Sequence, residues 1–493
     1  MESEREFIIS LDIGTSNIKA GLISFDGKLY KVCKERTPLL NKLGRAEVKP
    51  QLLFKKILKL IKVLGKDKMH TIRAITFSTF FSSVILLDKR GNELTNIITW
   101  LDERGVEGLK LAEKRLDYQK IYKHTGCPPL YIYPLAKIMW IKSHAPRILE
   151  KTRYVLDPKS YILFKLLSQP YSDLSTASTT QFLNIHTLRW DENVLNMIEV
   201  DKSFLPHLLE GDTILDDISP EIRRELSLPE DVVIVPSVYD GAAFVLGLGG
   251  LSEGIGFSHL GTSAMFRVIV KRPILNVKHM EIQTHYLWRN MWIPGAGINN
   301  AGMVFDWLSK NVLRRKSITK VINSISLGEI SEDTPVAIPL LTPERMPSLS
   351  KLSGILIYGL KPSDTDSTLV LSLLLGILFL LRKIKQMIED QNIRLHEVRI
   401  GGGGAASDVI VQLLADTLRL PVLRSRKTIE AGLIGNTILV LRAFGHSVPK
   451  NLHHESEMFE PDPLRSIALN KLYTKFLKLL NEYVILGDKL QDE

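Results

Sequence analysis

The sequence predicts an α/β protein made of two related lobes that face one another. Apolar stretches typical of strands alternate with stretches of helical periodicity along 493 residues, a length that accommodates two domains or more. The tripeptide Gly-Thr-Ser occurs at residues 14–16 and again, half a chain later, at residues 261–263. Closely spaced glycines between Gly247 and Gly261 suit a hinge between lobes. We therefore predict an N-terminal lobe over 1–242, a C-terminal lobe over 243–450 and a helical segment over 451–493.

The first lobe is predicted to open with a β-meander. Phe7 to Leu11 and Ala20 to Phe25 are strand-like, and Asp26-Gly27 supplies the turn before a third strand. The lysine-rich stretch from Gln51 to Leu64 has the apolar spacing of an amphipathic helix. Further apolar runs predict strands at 72–76 and 84–87, a strand and a helix within 148–167, and a buried strand at 232–235.

The second lobe is predicted to repeat this plan, with strands at 255–260 and 265–270 on either side of the second Gly-Thr-Ser. Helices are predicted at 304–312 and 370–390. The longest apolar run, Leu369 to Leu381, contains a serine and a glycine and is too short to span a bilayer, so we expect a buried core helix. A strand at 398–400 then leads into a run of glycines, and a helix at 408–418 is stopped by Pro421.

The amino-acid composition limits the kinds of binding partner that we expect for the protein. The formal net charge is +10, but lysines between Leu53 and Lys62 alternate with apolar residues at helical spacing, which indicates a solvated helix face. No recognised nucleic-acid module accompanies the charge, so we expect no nucleic-acid partner and no membrane partner. Cys33 and Cys127 are the only cysteines, which favours a reducing cytoplasm over a disulfide scaffold or a zinc site.

The first Gly-Thr-Ser is part of a candidate phosphate and metal site. A turn between two strands that offers backbone N–H groups and hydroxyls can grip an oxyanion. Asp12 lies two residues before the turn and is well placed to hold Mg²⁺, while Lys19 adds positive charge. In the second copy His259 takes the place of Asp12, so we expect unequal roles for the two lobes. An ordinary turn capped by Asp12 is the alternative.

A second glycine-rich turn runs from Gly401 to Ala406, between a strand and a helix. Consecutive glycines let a ligand approach the backbone closely, which suits an adenosine or a phosphate. The spacing is not that of a dinucleotide fingerprint, and a P-loop lysine is lacking. A purely structural loop remains the alternative at this point.

Two further segments carry candidate catalytic and sugar-binding groups. Trp100, Asp102 and Arg104 fall within five residues, and such a set can bind a polyol because the ring packs on carbons while the charged groups bind hydroxyls. Asp240 follows a buried strand and could accept the proton of a substrate hydroxyl during phosphoryl transfer. A helix start and an Asp-Gly turn are the respective alternatives.

Taken together and in order, these motifs resemble the FGGY carbohydrate kinases from about residue 7 to 445. The segments that resemble family motifs are Asp12 to Ser16 and Gly261 to Ser263 for the phosphate turns, Gly401 to Asp416 for adenosine, Asp240 for the general base, Pro343 to Gly354, and Glu430 with Gly435. The resemblance implies two ribonuclease-H-like lobes around an ATP cleft, as in actin, hexokinase and the Hsp70 ATPase. Where many relatives have Met-His in the sugar pocket, this chain has Phe81-Ser82.

The resemblance also implies residue roles, with ATP and Mg²⁺ as cofactors. Asp240 would be the base and Asp12 the metal residue. The residues implied for ATP are Thr15, Ser16, Asn17, Lys19, Gly261, Thr262, Gly302, Asp306, Gly403, Gly404 and Asp408. Those implied for the sugar are Ser82, Asp102, Arg104, Tyr133 and Asp240. A homodimer is left open.

Several stretches look most like gluconate kinases of bacterial type, namely residues 76–79 with 97–104, residues 125–128 with 133–140, and residues 297–302. We therefore expect ATP-dependent phosphorylation of a primary hydroxyl on an open-chain sugar acid or polyol, with gluconate converted to 6-phosphogluconate. A xylulose, ribulose or glycerol kinase of the same fold is the alternative. An actin- or Hsp70-like ATPase and a non-catalytic sugar sensor are more distant ones.

Overall fold

The computed structural model describes residues 5–314, 316–425, 430–449, 452 and 456–492. Its strands are β1 Phe7–Ile13, β2 Asn17–Ser24, β3 Leu29–Arg36, β4 Leu39–Lys42, β5 Arg45–Val48, β6 Ile72–Thr79, β7 Ile85–Leu87, β8 Ile97–Ile98, β9 Tyr154–Leu156, β10 Tyr171–Asp173, β11 Leu183–Asn184, β12 Arg189–Trp190, β13 His207–Leu209, β14 Val233–Val235, β15 Ile255–Leu260, β16 Ala264–Val268, β17 Gln283–Trp288, β18 Met291–Ile298, β19 Val336–Leu340, β20 Gly354–Tyr358, β21 Glu397–Gly401, β22 Val422–Ser425 and β23 Ser456–Phe459.

Its helices are α1 Pro50–Gly65, α2 Arg104–Glu113, α3 Tyr118–Thr125, α4 Pro134–His144, α5 Pro146–Lys151, α6 Pro158–Leu167, α7 Leu174–Ala177, α8 Glu192–Ile198, α9 Pro220–Leu226, α10 Asp240–Gly247, α11 Gly302–Asn311, α12 Ile318–Asn323, α13 Asp366–Glu389, α14 Asp408–Leu418, α15 Ala431–Ala443 and α16 Pro463–Asp492. The segment 148–167, expected to hold one strand and one helix, contains β9 and α6, and it begins inside the additional helix α5.

The first lobe contains a five-stranded sheet in the order β14-β6-β1-β2-β3. Strands β1, β2 and β3 form the predicted antiparallel meander, and β6 and β14 add parallel neighbours on the other side of β1. In the β1–β2 hairpin Asp12 pairs with Lys19, so the first Gly-Thr-Ser lies at the tip of this hairpin. The whole of β1 is apolar except for Ser10 and Asp12, because the sheet is covered on both faces.

The second lobe repeats the same strand order. Its seven-stranded sheet runs β17-β18-β16-β15-β21-β22-β23, with β15 antiparallel to β16 and parallel to β21. The segment β18-β16-β15-β21-β22 therefore corresponds to β3-β2-β1-β6-β14 of the first lobe. The predicted two-lobe α/β architecture is confirmed, while the boundaries at 242, 243–450 and 451–493 stay predictions.

Two helices cross between the lobes. Helix α10 follows the first-lobe sheet, yet its apolar residues cluster with Phe257 and Ile293 of the second-lobe sheet. Conversely, α15 follows the second-lobe sheet, and Ile434 and Ile438 pack with Ile8 of β1. The helices touch each other through glycine: a Cβ atom at Gly435 would lie 1.9 Å from the carbonyl oxygen of Ala243. This crossing connects the two lobes at the level of Asp240.

Helix α13 forms part of the second-lobe core. It begins with a capping box made by Thr365 and Thr368, and its leucines are buried against β19 and the sheet. Of the helices in the described ranges, it alone is long and apolar enough to cross a membrane, but 72% of its most apolar window is buried inside the protein. The expectation of a buried core helix is therefore confirmed, whereas the expectation that this segment is too short to span a bilayer is wrong, because the helix extends beyond the apolar run at both ends.

Candidate active site

A cavity of about 510 Å³, here called the first cavity, lies between the lobes beside the α10–α15 crossing. Both lobes line it, and Asp240 lies where they join. The lining side chains that matter for the chemistry are Asp12, Thr15, Lys19, Phe81, Trp100, Tyr239, Asp240, His259, Ser263, Arg267, Gln283 and Arg345. Two carboxylates, one ammonium and two guanidinium groups thus face one cavity.

Asp12 lies at the end of β1, and its side chain is 19% exposed, toward the cavity. Its Oδ1 accepts a hydrogen bond from the Ser78 hydroxyl at 3.1 Å, and Lys19 Nζ lies 3.8 Å from Oδ2. Burial raises the pKa of Asp12, while Lys19 and Ser78 act in the opposite direction. The Cα of Gly432 lies so close that an added Cβ would be 2.7 Å from Oδ2.

Asp240 begins helix α10 and lines the same cavity. Its Oδ1 accepts a hydrogen bond from the backbone N–H of Gly241 at 2.8 Å. Burial raises the pKa of Asp240 to about 7, with a further contribution from the nearby charge of Asp12. A carboxylate with a pKa near neutrality is suited to accept a proton at physiological pH.

The first Gly-Thr-Ser presents only part of its length to the cavity. Gly14 and Thr15 line it, and the Thr15 hydroxyl accepts a hydrogen bond from the Trp100 indole at 3.0 Å. Ser16 is exposed and Asn17 is half-buried at the hairpin tip, and neither lines the cavity. Their backbone oxygens serve the turn itself, by accepting from Thr37 and Gly14.

The second Gly-Thr-Ser lies between the first cavity and a neighbouring one. Ser263 lines the first cavity, whereas Gly261 and Thr262 line a second cavity of about 580 Å³. His259 takes the position of Asp12, and burial lowers its pKa to about 4, so the imidazole is neutral at pH 7. The two lobes therefore contribute different chemistry at equivalent positions.

The lining of the second cavity is mainly apolar and includes several glycines. Gly302 and Asp306 of α11 line it together with Gly403, Gly404 and isoleucines of α12, α13 and α14. Gly403 and Ala406 line both cavities, so the two spaces are contiguous at this turn. Asp408, expected near the nucleotide, lies elsewhere: its carboxylate is 75% exposed and pairs with Arg424 at 2.7 Å.

The structure does not bring Asp102 and Arg104 to the first cavity. The buried Asp102 carboxylate binds Arg104 Nε at 2.8 Å and the backbone N–H of Ala46 at 2.9 Å. Arg104 also pairs with Glu47 and lies over the Trp140 ring. Because the two residues are close in the chain, the carboxylate and the guanidinium form an ion pair with each other within the loop. Of the three residues of this segment, only Trp100 lines the cavity.

Ser82 and Tyr133 also lie outside the cavity lining. Ser82 has a left-handed φ of 48°, and its hydroxyl donates to the carbonyl of Thr179 at 2.9 Å. Phe81, one residue earlier, faces the cavity in its place. Tyr133 is fully buried in a small cluster with Cys127 and Leu130, which raises its pKa.

Two charged residues of the cavity lining were missed by sequence reasoning. Arg267 on β16 and Arg345 after β19 are 4% and 7% exposed, and both line the first cavity. Arg345 lies within the segment 343–354 that resembles the family, but its role had no local signal. Gly297 offered no signal either, because only the structure shows that an added Cβ there would lie 2.9 Å from the Arg345 guanidinium carbon.

The donor set around Asp12 fits a magnesium ion. Mg²⁺ is usually held by one or two carboxylates, waters and substrate phosphates rather than by a cage of protein ligands. Asp12 and Asp240 both face the first cavity, and across the described ranges no group of three or more His, Cys, Asp or Glu side chains is arranged to hold a metal. The oxygen ligands present therefore match a metal that arrives with a nucleotide.

Comparison with known proteins places this geometry in a family. The N-terminal domain of the FGGY family of carbohydrate kinases matches residues 7–247, and the C-terminal domain matches residues 256–444. A gluconokinase of Bacillus licheniformis is 27% identical over 455 residues, covering 89% of this chain and 88% of that protein. A xylulose kinase of Bacillus subtilis (strain 168) is 25% identical over 462 residues, covering 92% and 91%.

The crystal structure of a gluconate kinase from Lactobacillus acidophilus has the same fold. It superposes with a TM-score of 0.91 at 24% sequence identity, covering 99% of this chain and all of that one. The two domain matches together span most of the chain, and the first cavity is lined by residues of both matched domains. The chain therefore belongs to the FGGY family of carbohydrate kinases and is an ATP-dependent sugar kinase.

Proposed function

We propose that the protein transfers the γ-phosphoryl group of ATP to a primary hydroxyl of an open-chain sugar acid, with gluconate converted to 6-phosphogluconate. The observation that supports an acid is the pair of buried guanidinium groups in the first cavity. Arg267 donates to the carbonyl of Ile293 at 2.9 Å and to Oε1 of Gln283 at 3.0 Å, and Arg345 Nη2 donates to the carbonyl of Ile298 at 3.1 Å. All of these acceptors are uncharged.

Burying an arginine without an ion pair is unfavourable unless a ligand supplies the negative charge. The carboxylate of the neighbouring residue Glu344 accepts hydrogen bonds from the backbone N–H groups of Asn299 and Asn300. Burial lowers the pKa of Arg345, while the charge of Glu344 acts in the opposite direction. An arginine side chain stays protonated in proteins. A substrate carboxylate between Trp100 and the two arginines would complete this charge balance.

In the proposed reaction Asp240 accepts the proton of the primary hydroxyl as that oxygen attacks the γ-phosphorus. The bond between the γ-phosphorus and the β–γ bridging oxygen breaks, and ADP leaves with that oxygen. Lys19, Thr15 and the second Gly-Thr-Ser lie where they can hold the transferring phosphates. Asp12 would hold Mg²⁺, which when bound neutralises the charge of the phosphate oxygens.

Trp100 joins the two halves of the site. Its indole N–H is fixed on Thr15 of the phosphate turn, while Arg345 lies 5.3 Å from its ring centroid. A sugar chain packed on this ring would therefore have its carboxylate near the guanidinium groups and its far end toward Asp240.

We also propose a cytoplasmic setting, since Cys33 and Cys127 are both free thiols.

A xylulose kinase is the second candidate, because relatives with that name match as much of the chain as gluconokinases do. A neutral ketose would use the hydroxyl-binding groups of the cavity but not its charge. ADP release measured with gluconate, xylulose, ribulose, glycerol and erythritol separates the candidates. A clear preference for any neutral sugar would contradict the gluconate proposal and leave the kinase assignment standing.

We expect Arg345→Gln to raise the KM for gluconate by roughly 10- to 150-fold, because a charge-assisted hydrogen bond contributes about 1.5–3 kcal/mol. Turnover of a neutral sugar should change little. Arg382→Gln is the matched control, because Arg382 lies over Tyr473, outside the first cavity. Equal effects of Arg345→Gln on acidic and neutral sugars would contradict a carboxylate-binding role.

We propose that the nucleotide extends from the first cavity past Gly403 into the second cavity, since Gly403 lines both. Gly403 tests this position because an added Cβ there would meet no atom within 4 Å. Gly403→Val should leave the melting temperature unchanged but intrude on the passage between the cavities, and so raise the KM for ATP by roughly 10- to 100-fold. Gly328→Val, also in open space, is the control. An unchanged KM for ATP would place the nucleotide elsewhere.

A further inference from the structure

The side chain of Asn436 lies where three segments of the first lobe meet. Its Nδ2 donates to the carbonyl oxygen of Leu11 at 2.7 Å and to the Ser78 hydroxyl at 3.2 Å. Its Oδ1 accepts from the Ser237 hydroxyl at 2.7 Å. Asn436 and all three partners are fully buried. Both amide protons and the amide oxygen are therefore used, and only one orientation of the amide satisfies the carbonyl of Leu11.

Each of the three contacts leads to a carboxylate of the site. Leu11 immediately precedes Asp12, and Ser78 donates its only hydroxyl proton to Asp12 Oδ1. Ser237 lies three residues before Asp240, in a left-handed conformation with φ 63°. Because the Ser78 proton is given to Asp12, its oxygen must accept from Asn436, and the hydrogen bonds run in one direction from Asn436 to Ser78 to Asp12.

Asn436 reaches the first lobe from the other half of the chain. It belongs to α15, which packs on β1 and β6 and crosses α10. Gly432 lies one helical turn earlier on the same face, with its Cα against the Asp12 carboxylate. One face of α15 thus offers a gap for the carboxylate at Gly432 and a hydrogen-bonding amide at Asn436.

We propose that Asn436 is a positioning residue, which orients the Asp12 carboxylate through Ser78 and sets its place relative to Asp240 through Ser237. The inference rests on the proposed roles of Asp12 and Asp240. Without the amide, three buried polar groups lose a partner, and the Ser78 hydroxyl is no longer held toward Asp12. The effect should then appear at the metal and the phosphates and leave the sugar end of the cavity unchanged.

The test compares Asn436→Ala, Ser78→Ala and the double variant with the wild-type protein. Thr437→Val is the matched control, because Thr437 is equally buried on α15 but its hydroxyl donates only to the carbonyl of Leu433. The first readout is the affinity for ADP by titration calorimetry, with and without Mg²⁺. The second is kcat and the KM for the sugar.

We expect Asn436→Ala to reduce the Mg²⁺-dependent gain in ADP affinity roughly 10- to 100-fold, as found for groups that orient metal-binding residues. The metal-free affinity and the sugar KM should stay within about twofold, kcat should fall in parallel, and the double variant should be no worse than the single ones. A Mg²⁺ effect at the wild-type level in folded Asn436→Ala and Ser78→Ala, or additive losses, would overturn the proposal.

Ser78→Ala keeps the bond from Asn436 to Leu11 and removes one oxygen only, so it tests the same relay if Asn436→Ala fails to fold. The calorimetric readout needs no sugar. If no sugar is phosphorylated by the wild-type protein, the proposed function fails, while the Mg²⁺ dependence of ADP binding still decides the role of Asn436.

Discussion

Asp240→Asn should lower kcat by roughly 10³-fold while ATP still binds, because proton transfer to a positioned base contributes about 10²- to 10⁴-fold. The carboxylate lines the first cavity at the start of α10, with one oxygen held by the backbone N–H of Gly241. The amide keeps the shape of the side chain but cannot accept a proton. Steady-state kinetics and ATP binding by calorimetry measure the two effects separately.

The pH dependence of kcat/KM tests the same assignment of Asp240 as the base. With the pKa of Asp240 raised to about 7, kcat/KM of the wild-type protein should rise with pH up to about 7 and level off above it. Below that value, activity should fall about tenfold per pH unit, since only the ionised carboxylate acts as base. Near-normal turnover by Asp240→Asn, or a flat profile between pH 5.5 and 8, would show that another group takes the proton.

Asp240→Asn should also be more stable than the wild-type protein at pH 8. The pKa of Asp240 is about 7 in the folded state and near 3.8 when unfolded. Between these values the folded state retains a proton that the unfolded state has lost. Rising pH therefore lowers the free energy of unfolding by up to about 1.4 kcal/mol per unit, and the loss is complete above about 7. The melting temperatures of both proteins at pH 5 and pH 8 test this.

The second large effect is expected at the helix crossing. A Cβ at Gly435 would lie 1.9 Å from the carbonyl oxygen of Ala243, and one at Gly247 would lie 1.8 Å from the carbonyl oxygen of Ala431. Both neighbours are backbone atoms, so α10 and α15 must separate to accept a methyl group. Gly435→Ala should therefore lower the free energy of unfolding by about 3 kcal/mol.

The same substitution should reduce kcat, because α10 begins with Asp240 and α15 holds Asp12 through Gly432 and Asn436. Denaturant unfolding and steady-state kinetics give the two measurements. Gly328→Ala is the control, since no atom lies within 4 Å of a Cβ at that position. A wild-type unfolding midpoint for Gly435→Ala would mean that the helices have room that the crossing does not show.

The fold was accessible from the sequence wherever its signal is local. Short apolar runs beside turn residues predicted β1, β2 and β15, and the segment closed by Pro421 predicted α14, all within a few residues, because these signals are properties of short segments. The repeated Gly-Thr-Ser indicated two lobes because equivalent hairpins end in equivalent turns. The packing of α15 against α10 has no local sequence signal, since the two helices come from different halves of the chain.

The residues of the candidate site also fall into those that the sequence predicted and those that it did not. Asp12 and Asp240, which were predicted from their places after a strand, both line the first cavity. The directions of side chains in loops were not predicted. The sequence did not show that Asp102 binds Arg104 while Trp100 lines the cavity. Side-chain direction in a loop depends on which partners packing supplies, and that is not a local property.

By itself the sequence determined the two lobes, through a repeated tripeptide, and the turns between their strands, which depend on neighbours within a few residues. It also indicated the two carboxylates that follow strands, Asp12 at the end of β1 and Asp240 after β14. Only the tertiary structure decided that Arg267 and Arg345 share a cavity with Asp240, and that Asn436 reaches Asp12. These residues come from distant parts of the chain. Their proximity follows from the burial of apolar faces between the lobes, which no single segment of the sequence specifies.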